Sequence, residues 1–207
     1  GDGSTDDTAA FVAANADAQG RSVLIPRGTY LLNGDVTFDA PTRFEGTVIM
    51  PASAILLLRR NFDLPNYIEA FGNEEIAFRK AFQALLNNAD HESLDLGGRK
   101  VNVTGPIDMQ AATPERSSYA TRRVIRNGQI TLNAPLYDAA GTQNFTFTRF
   151  QYLLDFSNYS QLSKFVLDDI EFQCNNVASA INLAPSGTIF HVRDCFISRP
   201  KDRGITS

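Results

Sequence analysis

Tryptophan is absent from this 207-residue chain, and cysteine, histidine and methionine occur only twice each. The two cysteines, Cys174 and Cys195, cannot make a disulfide framework or a metal cluster, and they read as small buried thiols. Of the histidines, His91 lies in Ala89-Asp90-His91-Glu92 and reads as a loop residue. His191 has no Ser or Cys nucleophile motif around it. A basic stripe is missing too. The chain has 19 Lys and Arg against 23 Asp and Glu, a net charge of −4, and its only basic clusters are pairs such as Arg59-Arg60 and Arg122-Arg123. That balance speaks against a nucleic-acid-binding protein. The longest aliphatic run, from Ala54 to Leu58, falls far short of a bilayer span, so no membrane insertion is expected. Gly1-Asp2-Gly3 lacks the preceding strand and the remaining glycines of a phosphate-binding loop. No initiator Met or signal peptide opens the chain, which reads as a fragment of something longer.

What is present is a composition suited to short strands and many turns: 15 Phe, 14 Gly and 9 Pro, with 43% apolar residues. The first half repeats itself at an offset of 71 residues, with Gly1 on Gly72, Phe11 on Phe82, Ile25 on Leu96, Leu32 on Val103, Gly34 on Gly105 and Phe38 on Met109. Each copy begins with a helix. The first is expected from Asp6 to about Ala18, capped by Ser4 or Thr5 and stopped at Gly20, with Phe11, Ala14 and Ala18 on one face. The second carries the stripe Phe78, Phe82, Leu85 and Ala89. Short alternating strands follow: Val23 and Ile25, Tyr30 and Leu32, Val36 and Phe38 in copy one, then Leu94 and Leu96, Val101 and Val103, Ile107 and Met109 in copy two. Strands this short do not fit a Rossmann-type layout.

From about Arg122 a different self-similarity takes over. Val124 to Ile130 aligns with Val166 to Phe172 and again with His191 to Ile197, the last two segments 25 residues apart. Ser179-Ala180-Ile181-Asn182 returns 24 residues later as Arg203-Gly204-Ile205-Thr206. Two independent pairs with nearly one period indicate stacked coils. Ile170 would then lie over Cys195 and Phe172 over Ile197, with Cys174 too far along for a disulfide to Cys195. The recurring Asn127, Asp169 and Asp194 read either as a column of groove carboxylates or as a polar turn ladder in left-handed backbone, with the ladder favoured. The expected fold is an all-β solenoid of stacked coils preceded by short α-helices. Residues 1–71 form a helix-plus-strand repeat, 72–119 its second copy, and 120–207 the regular coils.

The opening Gly1-Asp2-Gly3-Ser4-Thr5-Asp6-Asp7-Thr8-Ala9-Ala10-Phe11, followed by Val23-Leu24-Ile25-Pro26-Arg27-Gly28-Thr29-Tyr30, is similar to the opening signature of the pectate-lyase-like superfamily. The likeness is strong over residues 1–38, looser over 72–109 and limited to coil pattern over 120–207. It implies a right-handed parallel β-helix with short N-terminal capping α-helices, a polysaccharide partner of capsule, O-antigen or pectin-like type, and a place outside the cell or on a virion surface. A homotrimer follows if the protein is of the phage-tailspike kind. The signature concerns the fold, and the chemistry must be argued from the site.

Glycoside hydrolysis needs two carboxylates about 5 Å apart for retention, or roughly 6.5–9.5 Å apart for inversion. The candidates are Glu171, outward between Ile170 and Phe172, then Asp168, aligned with Arg126 and Arg193 as a salt-bridged ladder, and Asp155, outward in Leu153-Leu154-Asp155-Phe156. Glu171 has Gln129 and Phe196 at its aligned positions and no matching acid. A lyase would need a Lys or Arg base and usually a Ca²⁺ carboxylate cluster, and no acidic cluster has that spacing, so no cofactor is expected. The leading expectation is a protein that binds and degrades a polysaccharide as hydrolase or lyase, its catalytic centre largely outside these residues. The alternative is a non-catalytic adhesin or structural spike subunit. A sugar epimerase has no residue-level support.

Overall fold

A computed structural model of the chain describes residues 1–87, 90–104, 107–108, 118–119, 123–132, 152–155, 161–162, 165–174, 179–182, 190–200 and 204–206. The expectations at Ala89, Gly105 and Met109 fall outside them. The chain divides into two compact units, Gly1–Asp95 and Leu96–Ser207.

The first unit runs β1 (Asp2–Asp6), α1 (Thr8–Ala18), β2 (Val23–Ile25), β3 (Thr29–Leu31), β4 (Val36–Phe38), β5 (Thr42–Phe44), β6 (Thr47–Ile49), β7 (Leu56–Leu58), α2 (Leu64–Phe71), α3 (Glu74–Asn87) and β8 (Ser93–Asp95). Three strands in series pair, all parallel, with the next three. Val23 aligns with Thr42, Thr29 with Thr47 and Val36 with Leu56. Alternation sends Val36, Phe38, Leu56 and Leu58 inward, where each is at most 1% exposed. Phe11 of α1 meets Tyr30 and Phe38 edge-on, and Phe38 meets Phe44 in the same way. These contacts give Phe11, Phe38 and Phe44 a packing role without any ligand.

The opening residues depart from the expected turn and cap. Residues 2–6 form β1, parallel to β3, with Asp2 opposite Thr29. The Asp2 carboxylate accepts the amides of Ser4 and Thr5 and the Thr5 hydroxyl. Those donors, the Thr5 amide foremost, hold it well below the usual carboxylate range. The helix starts two residues later than expected, and Asp6 rather than Ser4 or Thr5 ties it down. Asp6 Oδ1 accepts the Thr8 amide and hydroxyl and reaches the Asn33 amide.

Gly46 is needed for space. A Cβ there would lie 2.7 Å from the Tyr30 ring and 2.8 Å from the Gly28 carbonyl, and closer still to the Pro26 carbonyl. Gly46→Ala is expected to destabilise the protein by about 2 kcal/mol, because two of the three atoms are backbone and cannot swing aside. A urea midpoint equal to that of the parent would contradict this.

The helical hairpin is the largest departure from expectation. Asp63 caps α2 by accepting the Asn66 amide, Pro65 sits in the first turn, and Gly72 closes it at φ 64°. Asn73 Oδ1 accepts the Ile76 amide at the start of α3. The two helices pack on each other and bury Leu64, Tyr67, Ala70 and Phe71 together with Phe78, Phe82, Leu85 and Leu86.

The second unit runs β9 (Lys100–Val103), β10 (Ile107–Asp108), β11 (Ser118–Tyr119), β12 (Arg123–Leu132), β13 (Tyr152–Asp155), β14 (Gln161–Leu162), β15 (Phe165–Gln173), β16 (Ser179–Asn182), β17 (Phe190–Arg193), β18 (Phe196–Ser198) and β19 (Ile205–Thr206). Again every pairing is parallel. β12 lies between β9 and β15, and β15 pairs in turn with β17 and β18. The sequence alignment of Val124, Val166 and His191 is the observed register, as is that of Phe172 with Ile197. Ile181 likewise pairs with Ile205.

The expectation of an all-β solenoid, a right-handed parallel β-helix with short capping helices, is corrected. Among the described residues the chain is a mixture of three helices, several small parallel sheets and one six-stranded parallel sheet. The physical reason lies in residues 64–87. Their apolar positions recur at helical spacing on both sides of Gly72, so they form a two-helix core of their own. No described helix is long and apolar enough to cross a membrane.

Candidate functional site

Three non-glycine residues of the second unit hold left-handed backbone at matching positions: Asn127 at φ 58°, Asp169 at φ 53° and Asp194 at φ 50°. Arg126 pairs with Asp168 just before this column and Gly128 with Ile170 just after it, so the ladder skips the bend and resumes in the same register. Asn and Asp tolerate this conformation better than other L-residues. The sequence-level ladder is thus present in the backbone.

The bent column forms one side of an open groove of about 570 Å³. Its other side is a second column in register, with Lys100 on β9, Gln129 on β12, Glu171 on β15 and Phe196 on β18. The floor comes close to backbone at Gly128, where a Cβ would stand 2.5 Å from Leu96 Cβ. Phe196 is 64% exposed, an unusual surface position for an aromatic side chain. Ile170 and Phe172 are buried on either side of Glu171, whose Oε1 accepts a hydrogen bond from the Gln173 side chain, Nε2, at 2.9 Å.

The three candidate acids separate. Glu171 lines the groove with Asp169 and Asp194. Asp168 is ion-paired to Arg193 at 2.7 Å and does not line it. Asp155 lies on β13, in register with Asp108 on one side and Asn182 on the other. Sequence reasoning missed Lys100, which lies outside the aligned segments and enters the column only through the pairing of β9 with β12. It also weighed Asp169 and Asp194 mainly as turn residues, although the same positions face the groove.

Among the described residues no group of three or more His, Cys, Asp or Glu is placed to hold a metal ion. Both cysteines are free. Burial pushes the Cys174 thiol up to about 11 and raises that of Cys195, so neither is an activated nucleophile. His191 is exposed. The first unit has a smaller cleft of about 250 Å³ at Asp39, Arg59, Arg60, Asp90 and His91. Arg59 already bridges Asp39 and Asp90 there, at 2.9 and 3.0 Å. His91 is stacked on Phe62 with ring centroids 4.4 Å apart, and burial lowers its pKa. His91 thus lies in a loop, as expected, with its ring packed on Phe62.

Searches against protein-family models, curated proteins and solved structures found no match to this chain.

Proposed function

We propose that the second unit binds a polysaccharide along the groove between the two columns. The observation that carries this reading is an exposed aromatic, Phe196, at the end of a row of polar side chains, Lys100, Gln129 and Glu171, fixed on a parallel sheet. A sugar offers hydroxyls to carboxylates, amides and ammonium groups, and a C–H face to an aromatic ring. The groove is open and polar, whereas small apolar ligands favour enclosed, largely hydrophobic pockets. Rigid strands hold the side chains in place before binding, which limits the entropy lost on association. The likeness of residues 1–38 to polysaccharide-active proteins supports the same ligand class.

Affinity electrophoresis through gels containing capsular, O-antigen or pectin-like polymers tests the reading. Retardation by at least one polymer is expected, and Phe196→Ala is expected to weaken it by about tenfold, the loss of one good aromatic contact. Unretarded migration through all of them would sink the proposal for those polymers.

Cleavage is a second reading, favoured by the carboxylates of Asp169, Glu171 and Asp194 in one groove. Asp169 on β15 and Asp194, in the bend between β17 and β18, occupy matching positions on neighbouring turns of the ladder. The strand spacing of about 4.8 Å is close to the separation of about 5 Å used in retaining hydrolysis. A retained polymer that releases neither reducing nor unsaturated ends would leave a binding module.

A further inference from the structure

The groove is ordered by charge, with one pair of residues at each step across the sheet. At the β9 end stand Gly98 and Lys100, and on β12 the uncharged amides of Asn127 and Gln129. β15 contributes two carboxylates, Asp169 and Glu171. Asp194 and Phe196 form the last step. The formal charge therefore passes from positive through neutral to doubly and then singly negative. Three strand spacings of about 4.8 Å separate the ends by about 14 Å. That exceeds the screening length of about 8 Å at physiological salt, so a ligand feels the two ends separately. The neighbouring Arg193 does not cancel the negative end, because its guanidinium is committed to Asp168 at 2.7 Å.

We propose that the groove selects a neutral or amino-bearing glycan and excludes polyuronates, with Lys100 receiving any acidic substituent. A uronate on every sugar would set like charges against Asp169, Glu171 and Asp194 in turn, and such juxtaposition penalises a wrong partner more than it weakens a right one. An ammonium on the sugar meets carboxylates at the same steps. This inference rests on the glycan-groove reading and narrows it away from pectin-like polymers.

The full chain is titrated with glucosamine oligomers, their N-acetylated counterparts and polygalacturonate oligomers of equal length, at low and high salt. The acetylated and free amines differ at one charge per sugar, so the comparison isolates electrostatics. Glucosamine oligomers are expected to bind at least about tenfold more tightly than polygalacturonate at low salt, with the gap narrowing at high salt. The variant Asp169→Asn/Glu171→Gln/Asp194→Asn is expected to erase that preference. It should remain folded, because Asn127 already occupies the same left-handed position in the column. Polygalacturonate binding tightest to the parent and lost in Phe196→Ala would overturn the charge inference while leaving the glycan groove standing. If no oligomer binds either protein, both proposals fall.

Discussion

Replacing Lys80 by Met is expected to destabilise the first unit by about 3 kcal/mol, seen as a lower urea midpoint with an unchanged slope. Lys80 belongs to α3, yet it is only 7% exposed. Its ammonium donates to the carbonyls of Pro51 and Ala54, both at 2.6 Å, with Ala52 O and Gln83 Oε1 further off at 3.4 and 3.3 Å. Gln83 Nε2 donates to Ala52 O at 2.8 Å. Residues 51–54 connect β6 to β7 without a ladder of their own, and the helix supplies their donors. Methionine keeps the length of the side chain and removes every donor, so the buried Ala54 carbonyl loses the ammonium, while Ala52 O keeps Gln83 Nε2 and Pro51 O keeps the Ala54 amide. Burial also pushes the Lys80 pKa down from 10.5 to about 8, opposed by the charge of Asp35. The folded state thus releases this proton before the unfolded state does. Between about pH 8 and 10.5 the unfolded chain binds more protons, so this group makes the parent more stable as pH rises through that window. The Met variant lacks that rise. Parallel stability curves for the two proteins across the window would contradict the assignment.

Lys80 also shows where sequence reading stops. Nothing in Phe78-Arg79-Lys80-Ala81-Phe82 distinguishes a charged side chain on a solvent face from one turned onto a neighbouring loop, because the carbonyls it meets lie more than twenty residues away. The short strand β1 was hidden for a similar reason. Asp2 to Asp6 has no apolar alternation, and its strand character comes from pairing with Thr29 and Leu31. By contrast α2 was legible and was overlooked. Asp63, Pro65 and Gly72 are a start, a first-turn residue and a stop in the right order, but Gly72 also anchors the 71-residue repeat and was read only in that role. The consequence was an all-β reading of a chain whose helices form a core.

In the second unit the sequence carried further. The alignment of 124–130 with 166–172 and 191–197 reproduces the observed register because each position sits above its counterpart and is selected for the same side of the sheet. The left-handed positions of Asn127, Asp169 and Asp194 were legible for the same reason. The groove itself was only half visible. Alternation marked Glu171 as outward, but nothing local indicated that β9 would extend the column to Lys100, or that a bend would bring Asp169 onto the wall of the groove that Glu171 faces.

Two glycines of that wall yield the second large effect, because they are glycines for different physical reasons. Gly98 has φ 69°, and a Cβ there would find nothing nearer than 4.0 Å, at the Asn127 side-chain oxygen. Its requirement is conformational. Gly128 carries no such φ, but a Cβ there would stand 2.5 Å from Leu96 Cβ, 2.7 Å from Leu96 Cδ1 and 3.1 Å from the Arg99 carbonyl. Leu96 is fully buried, and its Cβ is fixed to the backbone and cannot rotate away. Gly98→Ala is therefore expected to lose about 1 kcal/mol, the strain of one L-residue in left-handed backbone. Gly128→Ala is expected to lose about 3 kcal/mol, at the upper end for overpacking. The two should also separate in binding. Gly98→Ala leaves the register of Gln129 with Glu171 untouched, so its glycan affinity should fall less than that of Gly128→Ala. Gly128→Ala must move β12 or the 96–99 turn, and with it Gln129, whose amide is bonded to Arg99 O at 3.0 Å. Its affinity should fall together with its stability. Equal losses in the two variants, or a larger loss at Gly98, would mean that close approach of Leu96 to the strand does not set the groove floor.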